Sequence, residues 1–292
     1  MNMSLACVAK TFANHTVLQD NLKDADLEDL EDALMHMDIE TLPLADGHKL
    51  YFTGPPLSAG PLPALFYFCS TGPESLGNDP YNQPVLYLQK HPIRVFSLSL
   101  PLHDEIADRR QAVALWSKAL ANGEDHLTPF LEQANDAIDY VVKEGIAVST
   151  AIGVAGLSRG GWVATHLAAS NDYVKAIVGF APLTDLFVLD EFKPIEDNPL
   201  LQTMSLDAVI DKLVGKPLRY YVGNRDMRIS TDACYAFVRR LTELSYASRH
   251  RSAPVELIMS PSIGHLGHGT TTQTFHLGAQ WLLNILGLVD RE

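Results

Sequence analysis

One serine in the chain stands where residue types and spacing could do chemistry: Gly156-Leu157-Ser158-Arg159-Gly160. It follows an apolar run at 151–155 and precedes a helical pattern, so Ser158 falls on a sharp strand-to-helix turn with its hydroxyl projecting above the sheet. Glycines two positions to either side suit such a turn, because a Cβ there would collide across it. The helix start that continues through Gly161 and Trp162 offers free N–H groups and a partial positive charge, which favour an alkoxide or a developing oxyanion. A serine hydroxyl does not ionise at neutral pH. It needs a base, and the base needs an orienting carboxylate.

Two histidines compete for the base. The last apolar run, 255–259, leads into Ser260-Pro261-Ser262-Ile263-Gly264-His265, and a small-residue loop of this kind could deliver an imidazole to the serine. His265 is preferred because it is nearer the strand end and Gly264 permits close backbone approach; His268, beside Gly267, is the alternative. A zinc reading of the His265/His268 spacing lacks further ligands at suitable positions, so no metal is expected. For the carboxylate, Tyr220-Tyr221-Val222-Gly223-Asn224-Arg225-Asp226 ends the penultimate strand in a turn, which puts Asp226 just before a helix opening at Ser230. Asp185, in the loop after the run 176–180, is the other acid. His103, in the loop after 93–98, could line a pocket.

These side chains need a frame. Residues 39–44 and 49–53, split by Asp46-Gly47, read as a hairpin. Apolar runs follow at 64–69, 93–98, 151–155, 176–180, 218–222 and 255–259, with helical patterns between them. The clearest starts with Thr128 as N-cap and Pro129 at the first helical position, then places Phe130, Ala134, Ala137, Ile138, Val141 and Val142 on one face. Others span 160–169, 230–244 and 272–286. Apolar strands separated by helices predict an α/β domain over 37–292, with a mostly parallel sheet covered on both faces. The segment 183–216, after the sixth strand, is too long for an ordinary connection and is expected to be a short helical insertion, a lid or a surface cover. Residues 1–36 form an acidic extension. Between Asp20 and Glu40 the only basic residue is Lys23, and Leu27, Leu30, Leu34 and Met37 recur at helical spacing, which predicts an amphipathic helix that is solvated on one side or docks a basic partner.

The 292 residues carry 22 basic and 35 acidic side chains, a formal charge of −13. Such a surface repels phosphate backbones, and Lys and Arg do not cluster, so no nucleic-acid partner is expected. Three cysteines (Cys7, Cys69, Cys234) cannot close a disulfide framework, and Cys69 and Cys234 read as buried thiols. No apolar run approaches the roughly 18 residues needed to span a bilayer, and no positive charge precedes the short apolar N-terminus. A cytoplasmic location follows as the expectation. Neither a phosphate loop nor a dinucleotide fingerprint is present, so no cofactor is expected.

From the elbow 156–160, the Gly-x-x-Asp turn 223–226 and the run from Val255 to His265, the chain resembles the α/β-hydrolase superfamily over roughly residues 38–292. It is nearest in style to the dienelactone-hydrolase and prolyl-oligopeptidase-like branches. The resemblance implies Ser158 as nucleophile, His265 as general base and acid, and Asp226 as orienter, in the superfamily's order Ser, Asp, His. It also implies an oxyanion hole built from the Arg159 N–H and a second amide in the loop after 64–69, which here reads Ser70-Thr71-Gly72-Pro73 where the family often has His-Gly. Thr71 is the expected donor. The Arg159 side chain would pair with an internal carboxylate and brace the elbow, or hold an acidic substrate group. The activity implied is hydrolysis of small carboxylic esters, since 292 residues leave no room for the propeller of the oligopeptidases. A small-substrate peptidase, an acyltransferase and a non-catalytic binding protein are the alternatives.

Overall fold

The computed structural model of the chain describes residues 39–44, 47–104 and 111–288. The acidic helix expected within 1–36 lies outside them. Eight strands form one sheet: β1 (Glu40–Pro43), β2 (Lys49–Thr53), β3 (Leu62–Phe68), β4 (Arg94–Ser97), β5 (Ala147–Leu157), β6 (Val174–Phe180), β7 (Leu218–Gly223) and β8 (Val255–Ser260), in the order β1-β2-β4-β3-β5-β6-β7-β8. The hairpin β1–β2 and the β2–β4 pair are antiparallel; every other neighbour is parallel. This is the fold class expected from the apolar runs, a mostly parallel sheet of the α/β-hydrolase kind.

Both faces of the sheet are covered, which is why its central strands are apolar at successive positions rather than at alternate ones. In β3, Ala64, Phe66 and Phe68 enter one core with α5 (Arg159–Ser170) and α4 (Leu127–Lys143), while Leu65 and Tyr67 enter the other with α8 (Thr272–Ile285). The amphipathic helix expected to begin at Pro129 after the N-cap Thr128 starts two residues earlier, at Leu127. Asp125 Oδ1 accepts the free N–H groups of Leu127 and Thr128 at 2.8 and 3.0 Å, so the capping carboxylate lies upstream of the expected N-cap. Three helices have no counterpart in the expected pattern: α1 (Gly72–Gly77), α2 (Gln83–Leu88) and α3 (Ala112–Ala121). The last helices are α6 (Pro199–Thr203), α7 (Thr231–Ala247) and α8. No helix among the described residues is long and apolar enough to cross a membrane.

The insertion 183–216 consists of 3-10 turns at Leu186–Val188, Asp190–Ile195, Leu206–Ala208 and Ile210–Leu213 around α6. It is tightly packed. Leu183, Leu189, Phe192, Leu201, Leu206 and Leu213 are all buried in the same core as α4 and α5. Its polar anchors reach outward: Ser117 Oγ of α3 donates to Glu191 O at 2.5 Å, Asn198 Nδ2 donates to Leu120 O at 2.8 Å, and His166 Nε2 of α5 meets Met204 O at 3.0 Å.

Candidate active site

The C-terminal ends of the parallel strands carry the candidate residues to one rim of the sheet. β5 runs directly into Ser158, whose φ of 53° and ψ of −115° make the elbow. Space explains its two glycines. A Cβ on Gly156 would stand 2.1 Å from the Gly160 carbonyl carbon, and one on Gly160 would stand 1.9 Å from Phe68 O. The strained serine is held from below, where Ser158 N donates to Phe180 O at 2.9 Å and Leu183 N donates to Ser158 O at 3.1 Å.

His268, and not His265, reaches the serine. Ser158 Oγ lies 2.9 Å from His268 Nε2, and His268 Nδ1 lies 2.7 Å from Asp226 Oδ2. An ionised carboxylate only accepts hydrogen bonds, so the imidazole proton sits on Nδ1 and Nε2 is left to accept from the serine hydroxyl. His265 is exposed and takes no part in this chain of contacts. The cause is the loop after β8. Gly264, Leu266 and Gly267 all have positive φ (75°, 55° and 76°), and a 3-10 turn at His265–Gly267 carries the chain three residues past the expected position. Gly267 makes this possible, since a Cβ there would lie 2.2 Å from Arg225 O. The His loop therefore rests on the Asp226 turn, joined also by Met227 N donating to Leu266 O at 2.8 Å. Glycine at 267, beside the alternative histidine, was the sequence signal for this arrangement.

Asp226 is where the β7 turn was expected to place it, and it is buried. Its Oδ1 accepts from Arg228 N at 2.9 Å and from Ile229 N at 3.1 Å, which leaves Oδ2 for the imidazole. Thr231 completes the turn: its Oγ1 accepts from Asp226 N at 2.9 Å and donates to Gly223 O at 2.6 Å. Asp185 is occupied elsewhere, capping the turn Leu186–Val188 by accepting from Phe187 N at 2.9 Å.

The two backbone amides expected to form the oxyanion hole are free of acceptors among the described residues. Arg159 N is the first N–H of α5 and has no partner within the helix. In the loop after β3, Cys69 N and Ser70 N donate to Ser75 Oγ at 3.2 and 3.0 Å, and Gly72 N donates to Ser99 Oγ at 3.0 Å. Thr71 N alone of these four has no acceptor, while its side chain caps α1 by accepting from Glu74 N at 3.3 Å.

The Arg159 side chain does not pair with a carboxylate among the described residues, which corrects the expected ion pair. It is buried, donates to Pro101 O at 2.8 Å and to His103 Nδ1, and lies over the Trp116 ring with its guanidinium carbon 5.5 Å from the centroid. Burial with no opposite charge pushes its pKa down to about 9. His103 serves here as a hydrogen-bond acceptor for the guanidinium. The two thiols differ in setting: Cys234 is fully buried and Cys69 partly so, and burial pushes both up to about 12. Neither is poised as a nucleophile.

Comparison with known proteins agrees with this frame. The model of the dienelactone hydrolase family matches residues 83–265. No curated protein matches the chain by sequence. Among solved structures, TT1662 from Thermus thermophilus is similar with a TM-score of 0.63 at 17% identity, over 86% of this chain and 99% of its own. A puromycin-hydrolyzing peptidase from Mycobacterium tuberculosis gives 0.59 at 18%, over 88% of this chain and 41% of its own. Prolyl oligopeptidase B from Galerina marginata gives 0.62 at 18%, over 87% and 37%. The chain thus spans well under half the length of the two peptidases.

Proposed function

The chain belongs to the dienelactone hydrolase family, and from that premise we propose that it is a serine hydrolase that cleaves small carboxylic esters through an acyl-enzyme on Ser158. The observation that carries this reading is the unbroken hydrogen-bond chain Ser158–His268–Asp226, at 2.9 and 2.7 Å. His268 Nε2 takes the hydroxyl proton as Oγ attacks the ester carbonyl. Asp226 Oδ2, held by the imidazole while two amides fix Oδ1, keeps the proton on Nδ1 and stabilises the imidazolium that forms. The oxyanion of the tetrahedral intermediate is received by the Arg159 and Thr71 N–H groups. Collapse of the intermediate expels the alcohol, which takes the proton from Nε2. Water then attacks the acyl-enzyme with His268 again as base, and the acid is released.

A p-nitrophenyl ester series, paired with a serine-reactive phosphonate, tests the reading. His268→Ala and Ser158→Ala are each expected to lower turnover by about 10⁴- to 10⁶-fold. His265→Ala is expected to stay within about twofold of the native chain, since surface changes away from the site have small effects. Equal losses in the two histidine variants, or a native protein that the phosphonate does not label, would sink it. Matched anilide substrates in the same series separate ester from amide cleavage, and added alcohol acceptors separate acyl transfer from hydrolysis.

A further inference from the structure

Glu191 lies in the 183–216 insertion and Arg228 two residues beyond Asp226, yet the two meet in a bidentate fork: Arg228 NH1 donates to Glu191 Oε2 at 2.8 Å and NH2 to Oε1 at 2.7 Å. Arg228 is thereby fastened at both ends. Its main-chain N–H holds Asp226 Oδ1, and its side chain is gripped by the insertion. Glu191 is fastened too, because its carbonyl accepts from Ser117 Oγ of α3. The next residue, Phe192, is fully buried and meets Trp116 of α3 edge-on, with ring centroids 5.1 Å apart. Trp116 in turn carries the guanidinium of Arg159, the residue after the serine. Two consecutive insertion residues therefore touch the support of the acid and the support of the nucleophile.

We propose that Glu191 is a positioning residue, and that through it the Asp190–Ile195 segment clamps the Asp226 turn so that the carboxylate faces His268. The inference rests on the serine-hydrolase reading above and adds to it a part for the insertion. Other ion pairs among the described residues lack this geometry. Arg219–Glu256 also joins separate elements and is partly buried, but through a single contact at 2.5 Å and not a fork. Lys193–Asp190 and Arg239–Glu243 join residues three and four positions apart, and their side chains are exposed, so each decorates its own element. Glu191–Arg228 joins separate elements 37 residues apart, and its two side chains are only 26% and 27% exposed. Water screens it less, and a fork fixes orientation as well as distance. The Arg228 hydrogen bonds also hold the Glu191 carboxyl below the usual carboxylate range, so the fork is intact at neutral pH.

The test compares Glu191→Gln, Arg228→Lys, the double variant and the control Glu243→Gln for kcat, KM, phosphonate labelling of Ser158 and thermal midpoint. Each single variant is expected to lower kcat and labelling rate about 10-fold with KM within about twofold, well inside the roughly 10²-fold that a 1 Å misplacement can cost. The double variant should be no worse than the poorer single, and Glu243→Gln should match the native chain. Native kcat in a folded Glu191→Gln, losses that multiply in the double variant, or a lowered thermal midpoint with kcat intact would overturn the proposal. The downfield proton resonance of His268 Nδ1, shared with Asp226, gives a readout that needs no turnover. Broadening or loss of this signal in Glu191→Gln supports the clamp and an unchanged signal overturns it, even if the native chain hydrolyses no ester and the hydrolase reading itself has failed.

Discussion

Two glycines in the His loop have nearly the same backbone angle but very different surroundings. A Cβ on Gly264, at φ 75°, would find its nearest neighbour, Gly269 Cα, 3.3 Å away, whereas one on Gly267, at φ 76°, would stand 2.2 Å from Arg225 O. Gly264→Ala therefore meets little collision but has to adopt φ 75° with ψ −172°, a backbone region kept almost wholly for glycine, at about 1–3 kcal/mol. Gly267→Ala adds a clash against backbone that cannot swing aside, and it moves the residue next to His268. We expect Gly267→Ala to lose on the order of 3 kcal/mol in urea unfolding and about 10²-fold in kcat, with Gly264→Ala keeping most of its activity. Equal effects in the two variants would show that the close approach to Arg225 does not set the histidine. The same residues explain what the sequence could reveal of the site. Ser158 was legible because its constraints are local: the glycines that make the elbow possible lie two residues away. Asp226 was legible from the strand that ends three residues before it. The histidine was not, because the choice between 265 and 268 depends on a contact between Gly267 and a turn some 40 residues upstream.

At the scale of elements, end chemistry decides where helices begin. Asp125 accepts two amides at the start of α4, while Thr128 sits inside the first turn. Asp125→Ala is expected to lower stability by about 1 kcal/mol, a fall of roughly 2–4 °C in thermal midpoint for a chain of this size, and Thr128→Ala to change it by less than half as much. A larger effect at Thr128 would return the cap to the residue that the Thr-Pro pattern suggested. The strands were legible because a sheet covered on both faces demands apolar runs, and those runs are visible without knowing what packs on them. The helices α1 and α2, six residues each, are too short to display a period, and they are positioned by their neighbours. Tertiary contact chose them: Gly72 lies against the Tyr51 ring, where a Cβ would come within 2.3 Å of the side chain, and Pro84, Val85 and Leu88 are buried on their own short helix.

The molecule as a whole is a sheet with an added layer, and one buried histidine reports on the join. His166 sits in α5, one turn beyond Trp162, with its ring edge-on to that tryptophan at 4.5 Å. Its Nε2–H donates to Met204 O, so it ties the helix that begins at Ser158 to the insertion. Burial pushes its pKa down to about 4, against an ordinary value near 6.5. The sign follows from proton binding. Between these two values the unfolded chain holds the proton and the folded chain does not, so acid favours unfolding. The stability from keeping this ring neutral is fully present above about pH 6.5 and is lost as pH falls toward 4, by an amount on the order of 3 kcal/mol. Urea unfolding at pH 7 and pH 5 should thus show a larger fall for the native chain than for His166→Asn, which can still donate to a carbonyl but does not titrate. If both proteins lose stability equally over that range, the acid sensitivity lies elsewhere. If the native chain loses more and its Ser158 labelling slows more between pH 7 and pH 5 than that of His166→Asn, the layer that holds Glu191 opens together with the junction at His166.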